Sequence, residues 1–288
     1  MGRQWRVSSP QGRFAAGAAR LTERAPDSAQ AWGKQLFIHL GPDIWQVHLG
    51  LYGAFSFRGD SSFTGAETLG APRSAAAQLD PQYDDDGWIV PEPPRGEVRA
   101  RVHVPNGWAD LRGPARCQVL NPMQYEAVIA RLGPDPLRQA CPQTDPDMLQ
   151  QFAVGLRRRR ISIAAALLDQ AVIAGVGNIY RAESLFLERI DPHTPAGELT
   201  DAQITDLWDR LTELLRRGVR EGIIRTVDPE DPHLGLRGAD LTGAVRRHWV
   251  YQHQGTPCLR CGATVQTQQL QGRRLYWCPG CQDRSARS

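Results

Sequence analysis

Four of the six cysteines fall in one C-terminal stretch, as Cys258-x2-Cys261, sixteen residues, then Cys278-x2-Cys281. Two such pairs at this separation can close a tetrahedron of thiolates around zinc. Two disulfides would satisfy the same spacing, but a cytoplasmic chain disfavours them. The expected cofactor is one structural Zn2+ held by Cys258, Cys261, Cys278 and Cys281. Between the pairs, residues 265–277 read as a β-hairpin turning near Gly272, with Arg273 and Arg274 at its tip. Two arginines on a metal-stapled hairpin suit insertion into a nucleic-acid groove. The plainer reading is a zinc ribbon whose arginines are merely solvated. Cys117 and Cys141 have no partner by spacing and read as buried or incidental thiols.

A second constraint lies at residues 167–186, which read as helix, tight turn, helix. Ile163, Leu167, Leu168 and Val172 recur at helical spacing before the turn, and Ile179, Ala182, Leu185 and Phe186 after it. The turn is Ala174-Gly175-Val176-Gly177-Asn178, with Asn178 expected at the N-cap of the second helix. Free amides and a positive dipole end there would make an anion site. An ordinary helical hairpin, whose glycines only make the bend, is the alternative.

The 288 residues suggest two domains, each able to bury a core. No apolar run approaches membrane-spanning length and no signal peptide opens the chain, so the cytoplasm and no membrane partner are expected. The net charge of +3 is unevenly spread. Residues 58–97 carry eight acids against three arginines, and residues 237–288 eight arginines against two acids. The basic C-terminal end is the one suited to a polyanion. Of 34 basic residues only Lys34 is a lysine, a bias of genomic composition rather than function.

Along the chain, residues 5–7, 35–40, 44–49, 98–104 and 117–120 read as strands of a sandwich. Residues 58–94, poor in apolar side chains, read as a long mobile surface loop. Gly133-Pro134-Asp135-Pro136 marks a boundary, after which the pattern turns helical. Thr200 is expected to cap a long helix with the stripe Ile204, Leu207, Trp208, Leu211, Leu214, Leu215 and Val219.

A glycine-rich helix–turn–helix followed by a four-cysteine hairpin resembles the formamidopyrimidine-DNA glycosylase / endonuclease VIII family of base-excision repair enzymes. Ser9-Pro10-Gln11-Gly12-Arg13-Phe14, Trp32-Gly33-Lys34, His48-Leu49-Gly50-Leu51-Tyr52-Gly53, Asp110-Leu111-Arg112-Gly113-Pro114 and Leu132-Gly133-Pro134-Asp135-Pro136-Leu137 look like family signatures, in family order. Leu51-Tyr52 and Tyr276-Trp277-Cys278-Pro279 look closer to the endonuclease VIII-like branch.

The resemblance implies an α+β chain in three parts. These are an N-terminal β-sandwich over residues 1–122 without its usual first helix, a helix–two-turn–helix domain over 123–243, and a zinc-finger hairpin over 244–288. It implies DNA glycosylase and AP lyase activity on oxidised bases in damaged double-stranded DNA, by a monomer at the bacterial nucleoid. Lys34, Asn178 with the amides around Gly177, and Arg273 match the groups that grip the backbone beside the lesion. Leu51 and Tyr52 match the wedge that fills the vacated stack.

One departure concerns the chemistry. The family chain begins Pro-Glu after Met removal, and the proline amine attacks C1′ of the damaged nucleotide. This sequence opens Met1-Gly2-Arg3-Gln4-Trp5, so no catalytic residue is assigned. Three readings stand: a start placed too late in the frame, an inactive relic that still binds DNA as a damage sensor, or substitution by Lys34, the one lysine. A zinc-ribbon protein–protein adaptor would leave Lys34, Asn178 and the glycine turn unexplained together.

Overall fold

The computed structural model describes residues 4–63, 68–70, 81–138, 145–228 and 247–283. It divides into two compact units, Met1–Ala130 and Arg131–Ser288.

In the first unit, short runs of branched and aromatic residues broken by glycine turns form two antiparallel sheets. One has the order β1-β7-β8-β5-β6, built from Arg6–Ser8, Val98–Val104, Gly107–Arg112, Ala54–Gly59 and Thr68–Gly70. The other has the order β2-β3-β4-β9, built from Ser28–Trp32, Gln35–Leu40, Asp43–His48 and Arg116–Leu120. Val7, Phe55, Val102 and Leu111 of the first share one apolar cluster with Ile38, Leu40, Trp45 and Val47 of the second. That shared cluster makes the pair a sandwich, as expected. Phe14, Ala18 and Leu21 join it from α1 (Ala15–Leu21) and its N-cap. The outer side of the four-stranded sheet buries Phe37, Ile44 and Leu120 against Tyr125, Val128 and Ile129 of α2 (Pro122–Ile129).

Strands β3 and β7 match the sequence expectation residue for residue, and β1, β4 and β9 within one residue. Strands β2, β5 and β8 and helix α1 went unread. In β8 the reason is Asp110, which breaks the apolar pattern yet is 3% exposed. It is neutralised inside the sheet by Arg101, through Nε at 2.6 Å and Nη2 at 2.9 Å, and by Arg112 at 2.9 Å. A carboxylate so paired belongs in a core, but composition alone places it outside. The Asp110-Leu111-Arg112 signature is therefore a buried ion-pair network of the sheet.

The expected loop at 58–94 is only partly testable, because residues 64–67 and 71–80 lie outside the described residues. Its described parts correct the expectation. Thr68–Gly70 adds an edge strand to β5, and Ile89 is buried. Trp88 lies under the Arg6 guanidinium, 3.9 Å from the ring centroid. One tryptophan and one isoleucine anchor a stretch whose average composition is polar.

The second unit is helical until its C-terminal hairpin. Helices α3 (Asp145–Arg157), α4 (Ile163–Ala166), α5 (Asn178–Leu187) and α6 (Asp201–Glu221) precede β10 (Gln266–Leu270) and β11 (Arg273–Trp277). Helix α6 starts as expected: Thr200 accepts from Gln203 N, and the Gln203 side chain accepts from Thr200 N. It stops at Gly222 in the left-handed conformation. Its stripe from Ile204 to Leu215 is buried, but Val219 is 67% exposed, so the apolar face ends a turn early. Among the described residues no helix is long and apolar enough to cross a membrane.

Candidate nucleic-acid interface

In the first unit, Lys34 is exposed in the two-residue turn Gly33-Lys34 that joins β2 to β3. Gly33 takes φ +54° there, a conformation that suits glycine. Next to it, residues 49–53 make a tight turn in which Gly53 N donates to Leu49 O at 3.0 Å. A Cβ on Gly53 would lie 2.1 Å from that oxygen, so the turn requires glycine. The turn drives its middle outward: Leu51 is 76% and Tyr52 81% exposed. Leu51 is thus no core residue, and two large apolar side chains stand in water on the tight turn that carries the chain from one sheet to the other. Lys34, His48, Leu49, Leu51 and Leu69 line one cleft of about 410 Å3. Burial, then Lys34 and Arg116, hold the His48 imidazole below its ordinary range, keeping it neutral beside two cations.

In the second unit the turn before α5 is buried and cross-tied. The first helix ends at Ala166 rather than running on to Val172 as the spacing suggested. Asp169 causes this, because its carboxylate accepts from Ala171 N and from the Arg159 guanidinium. Gln170 then holds the turn itself, accepting from Gly175 N and donating to Val176 O. Gly133 N donates to Gln170 O, and Ala174 N to Pro134 O. A Cβ on Gly133 would come within 2.7 Å of Val172 backbone carbon, so the Gly133-Pro134 segment packs directly on the turn.

Gly177, not Asn178, is the N-cap of α5, and no side chain caps it. Asn178 is the first helical residue. Its side chain reaches the hairpin instead, where Nδ2 donates to Arg274 O at 3.0 Å and ties the helix start to β11. The uncapped first turn has the amide geometry and dipole that suit an anion. The hairpin turns at Gln271 and Gly272, both at positive φ, as a two-residue connection of this twist requires. Arg273 and Arg274 are exposed on β11 beside it.

Two residues that the sequence reading passed over organise this end. Helix α5 is buried on every side from Tyr180 to Phe186, and both Arg181 and Glu183 are 0% exposed. Glu183 accepts from Thr226 Oγ1 and from Trp249, Val250 and Tyr251 N, so one carboxylate pins the chain that enters the cysteine module. Arg181 Nη2 donates to Asn178 Oδ1 and to Arg274 O, the latter at 2.8 Å. Burial, then repulsion from Arg273, pulls the Arg181 guanidinium down to about 10. The readable signal was two charged residues two places apart, hence on roughly opposite faces of one helical turn that also carries the apolar stripe, three and five places after Asn178.

The four cysteine sulfurs lie within 4.8 Å of one another, with Cys258 to Cys281 at 3.9 Å and Cys261 to Cys278 at 3.4 Å. A tetrahedral zinc–thiolate site needs sulfur–sulfur edges of about 3.8 Å, so the group fits a metal of that class. The expected ligands are therefore together. Gln282 braces them, accepting from Cys278 N and donating to Ile190 O.

Residues 132–228 match the Formamidopyrimidine-DNA glycosylase H2TH domain. Over 277 residues the chain is 40% identical to Endonuclease 8 1 of Mycobacterium tuberculosis, covering 96% of this chain and 91% of that one. It is 33% identical over 283 residues to the Formamidopyrimidine-DNA glycosylase of Parasynechococcus marenigrum, covering 96% and 88%. The fold is similar to that of a Lactococcus lactis Fpg solved in complex with DNA containing an abasic site, with a TM-score of 0.69 at 21% identity over 99% of this chain and 94% of that one.

Proposed function

The chain belongs to the formamidopyrimidine-DNA glycosylase / Endonuclease 8 family, and from that premise we propose that it removes oxidised bases from damaged double-stranded DNA in the bacterial cytoplasm, acting as a monomer at the nucleoid. The observation that carries this reading is the uncapped start of α5 tied through Asn178 to the arginine-bearing hairpin. Backbone amides at Gly177 and Asn178 and the Arg273 guanidinium would hold a phosphate beside the lesion, with Lys34 holding the backbone from the sandwich. Leu51 and Tyr52, already in water, would fill the gap left by the extruded base and offset part of its unstacking cost. Residues 1–122, 123–243 and 244–288 would serve as catalytic-type, helix–two-turn–helix and zinc-finger parts. Cys258, Cys261, Cys278 and Cys281 would hold one Zn2+, which keeps the hairpin folded and takes no part in bond breaking.

The reaction would be glycosylase followed by AP lyase. An amine attacks C1′, the bond from C1′ to the base breaks, and the base leaves with a proton. The C1′–O4′ bond then opens with a proton to O4′, and the resulting iminium makes the C2′ proton acidic, whose loss breaks the C3′–O bond and expels the 3′ phosphate by β-elimination. An α-amino group suits the first step because it is less basic than lysine. Lys34 is the one lysine available in this sequence.

Borohydride trapping on an abasic-site duplex tests the proposal, using this chain, a form extended upstream to begin Met-Pro-Glu, and Lys34→Ala. A covalent adduct from the extended form alone assigns the attack to a terminal proline. An adduct from this chain that Lys34→Ala abolishes assigns it to the lysine. No adduct from any form, with lesion binding intact, overturns the glycosylase reading and leaves a damage-binding protein.

A further inference from the structure

Among the described residues of the second unit Arg181 is the most heavily buried cation, and its charge is not answered. It is 0% exposed, and its Nε and Nη1 have no hydrogen-bond partner. Its only bonds run through Nη2, to Asn178 Oδ1 and Arg274 O, which are neutral dipoles. Among the described residues no carboxylate forms an ion pair with it, and the charge that acts on it most strongly is a second cation, Arg273. Buried charges are ordinarily paired, because an isolated one costs several kcal/mol. Glu183, two residues on and equally buried, shows the normal solution, with four donors around one carboxylate.

The same guanidinium sits where the uncapped start of α5 meets the hairpin. It touches the side chain of Asn178 and the backbone of Arg274, the two groups that join those elements. We propose that Arg181 is a built-in second cation of this anion site, left without a counter-ion in the protein because the DNA phosphate supplies it. This inference rests on the proposed DNA-binding function and deepens it. The free site then carries two mutually repelling guanidinium groups and an uncapped helix dipole, and one phosphate relieves all three. Arg181 need not reach solvent to act. It orients Asn178 and Arg274, and its field adds to that of Arg273 through a low-dielectric interior, where charge is poorly screened. Anion binding and the register of hairpin against helix become one coupled event.

The experiment is the salt dependence of binding to a duplex carrying a tetrahydrofuran abasic analogue, for the wild-type protein, Arg181→Gln, Arg181→Met and Arg181→Lys. Gln keeps hydrogen bonding without charge, Met keeps approximate volume alone, and Lys keeps the charge. The expected result is a log–log salt slope about one unit shallower for Gln and Met, and unchanged for Lys. Between 50 and 200 mM salt the wild type would then lose about fourfold more affinity than either neutral variant. A merely structural residue would move affinity but not slope. Thermal melting gives the second readout: without DNA, Gln or Met should melt at or above the wild-type temperature, and each should gain less from the duplex. Parallel slopes in proteins that bind, or neutral variants that melt well below the wild type, overturn the proposal. A wild-type chain with no preference for the lesion duplex overturns the underlying function as well, which separates the two failures.

Discussion

The two ends proposed to face DNA are built on opposite principles. In the sandwich, Lys34, Leu51 and Tyr52 stand exposed on short turns, and rigidity comes from the strands beneath them. In the helical unit, the exposed Arg273 adjoins Arg274, whose backbone carbonyl is held by Asn178 and the buried Arg181, while Gln170 ties the turn before them. The first end can lose a side chain without consequence for the fold. At the second, fold and binding are coupled, because its turn and hairpin are positioned by groups beside those that would bind, and Arg181 is the member whose unanswered charge offsets what its bonds contribute.

Removing the proposed Zn2+ should separate the two ends most sharply. Chelation, or Cys278→Ala, should abolish lesion binding while leaving the sandwich folded, since Cys278 belongs to the cluster that packs Trp249, Val250 and Tyr276 against α5. Metal content by mass spectrometry beside a binding assay checks it, and a full loss of sandwich structure would go against it.

Buried carboxylates come next and should behave alike in both units. Glu183→Ala strands four donors, and Asp110→Ala strands the buried Arg101 guanidinium. Each should cost about 3–5 kcal/mol in urea unfolding. The surface side chains should separate stability from binding. Lys34→Ala and Tyr52→Ala should change stability by less than about 0.5 kcal/mol, since both residues are exposed. Each should nonetheless weaken lesion binding by about 1–3 kcal/mol. An equal loss of stability would mean that the sandwich end is built like the helical one.

The smallest effect is acid sensitivity. His48, His103 and His248 are all held below 6.5, in each case first by burial. The unfolded chain therefore takes up protons before the folded one, and stability is lost as pH falls through about 6.5. His48→Gln should flatten that fall in part, as read by melting temperature against pH.

What the sequence disclosed follows from which side chains advertise their environment. The cysteine quartet, the Thr200 cap and strands such as β3 and β7 were legible because ligand spacing, capping and branched runs are local chemistry. Strand β8 was not, and neither was the burial of α5 on every side, although the helix itself was expected, because Asp110, Arg181 and Glu183 read as surface charges until their partners, far away in sequence, are in place. The early end of α4 was hidden for a related reason: an aspartate that looks like any polar residue captures a backbone amide two places on. Asn178 was found but misplaced by one position, and that step turns it from a cap into a bridge to the hairpin.

The central claim is that these two ends grip damaged DNA. The most direct measurement is the ratio of dissociation constants for an abasic-analogue duplex and the same duplex undamaged, at fixed salt. The account predicts binding to the damaged duplex tighter by at least about tenfold, with Lys34→Ala and Arg273→Ala each erasing most of the ratio. Equal affinity for the two duplexes, or a ratio untouched by both substitutions, would contradict it.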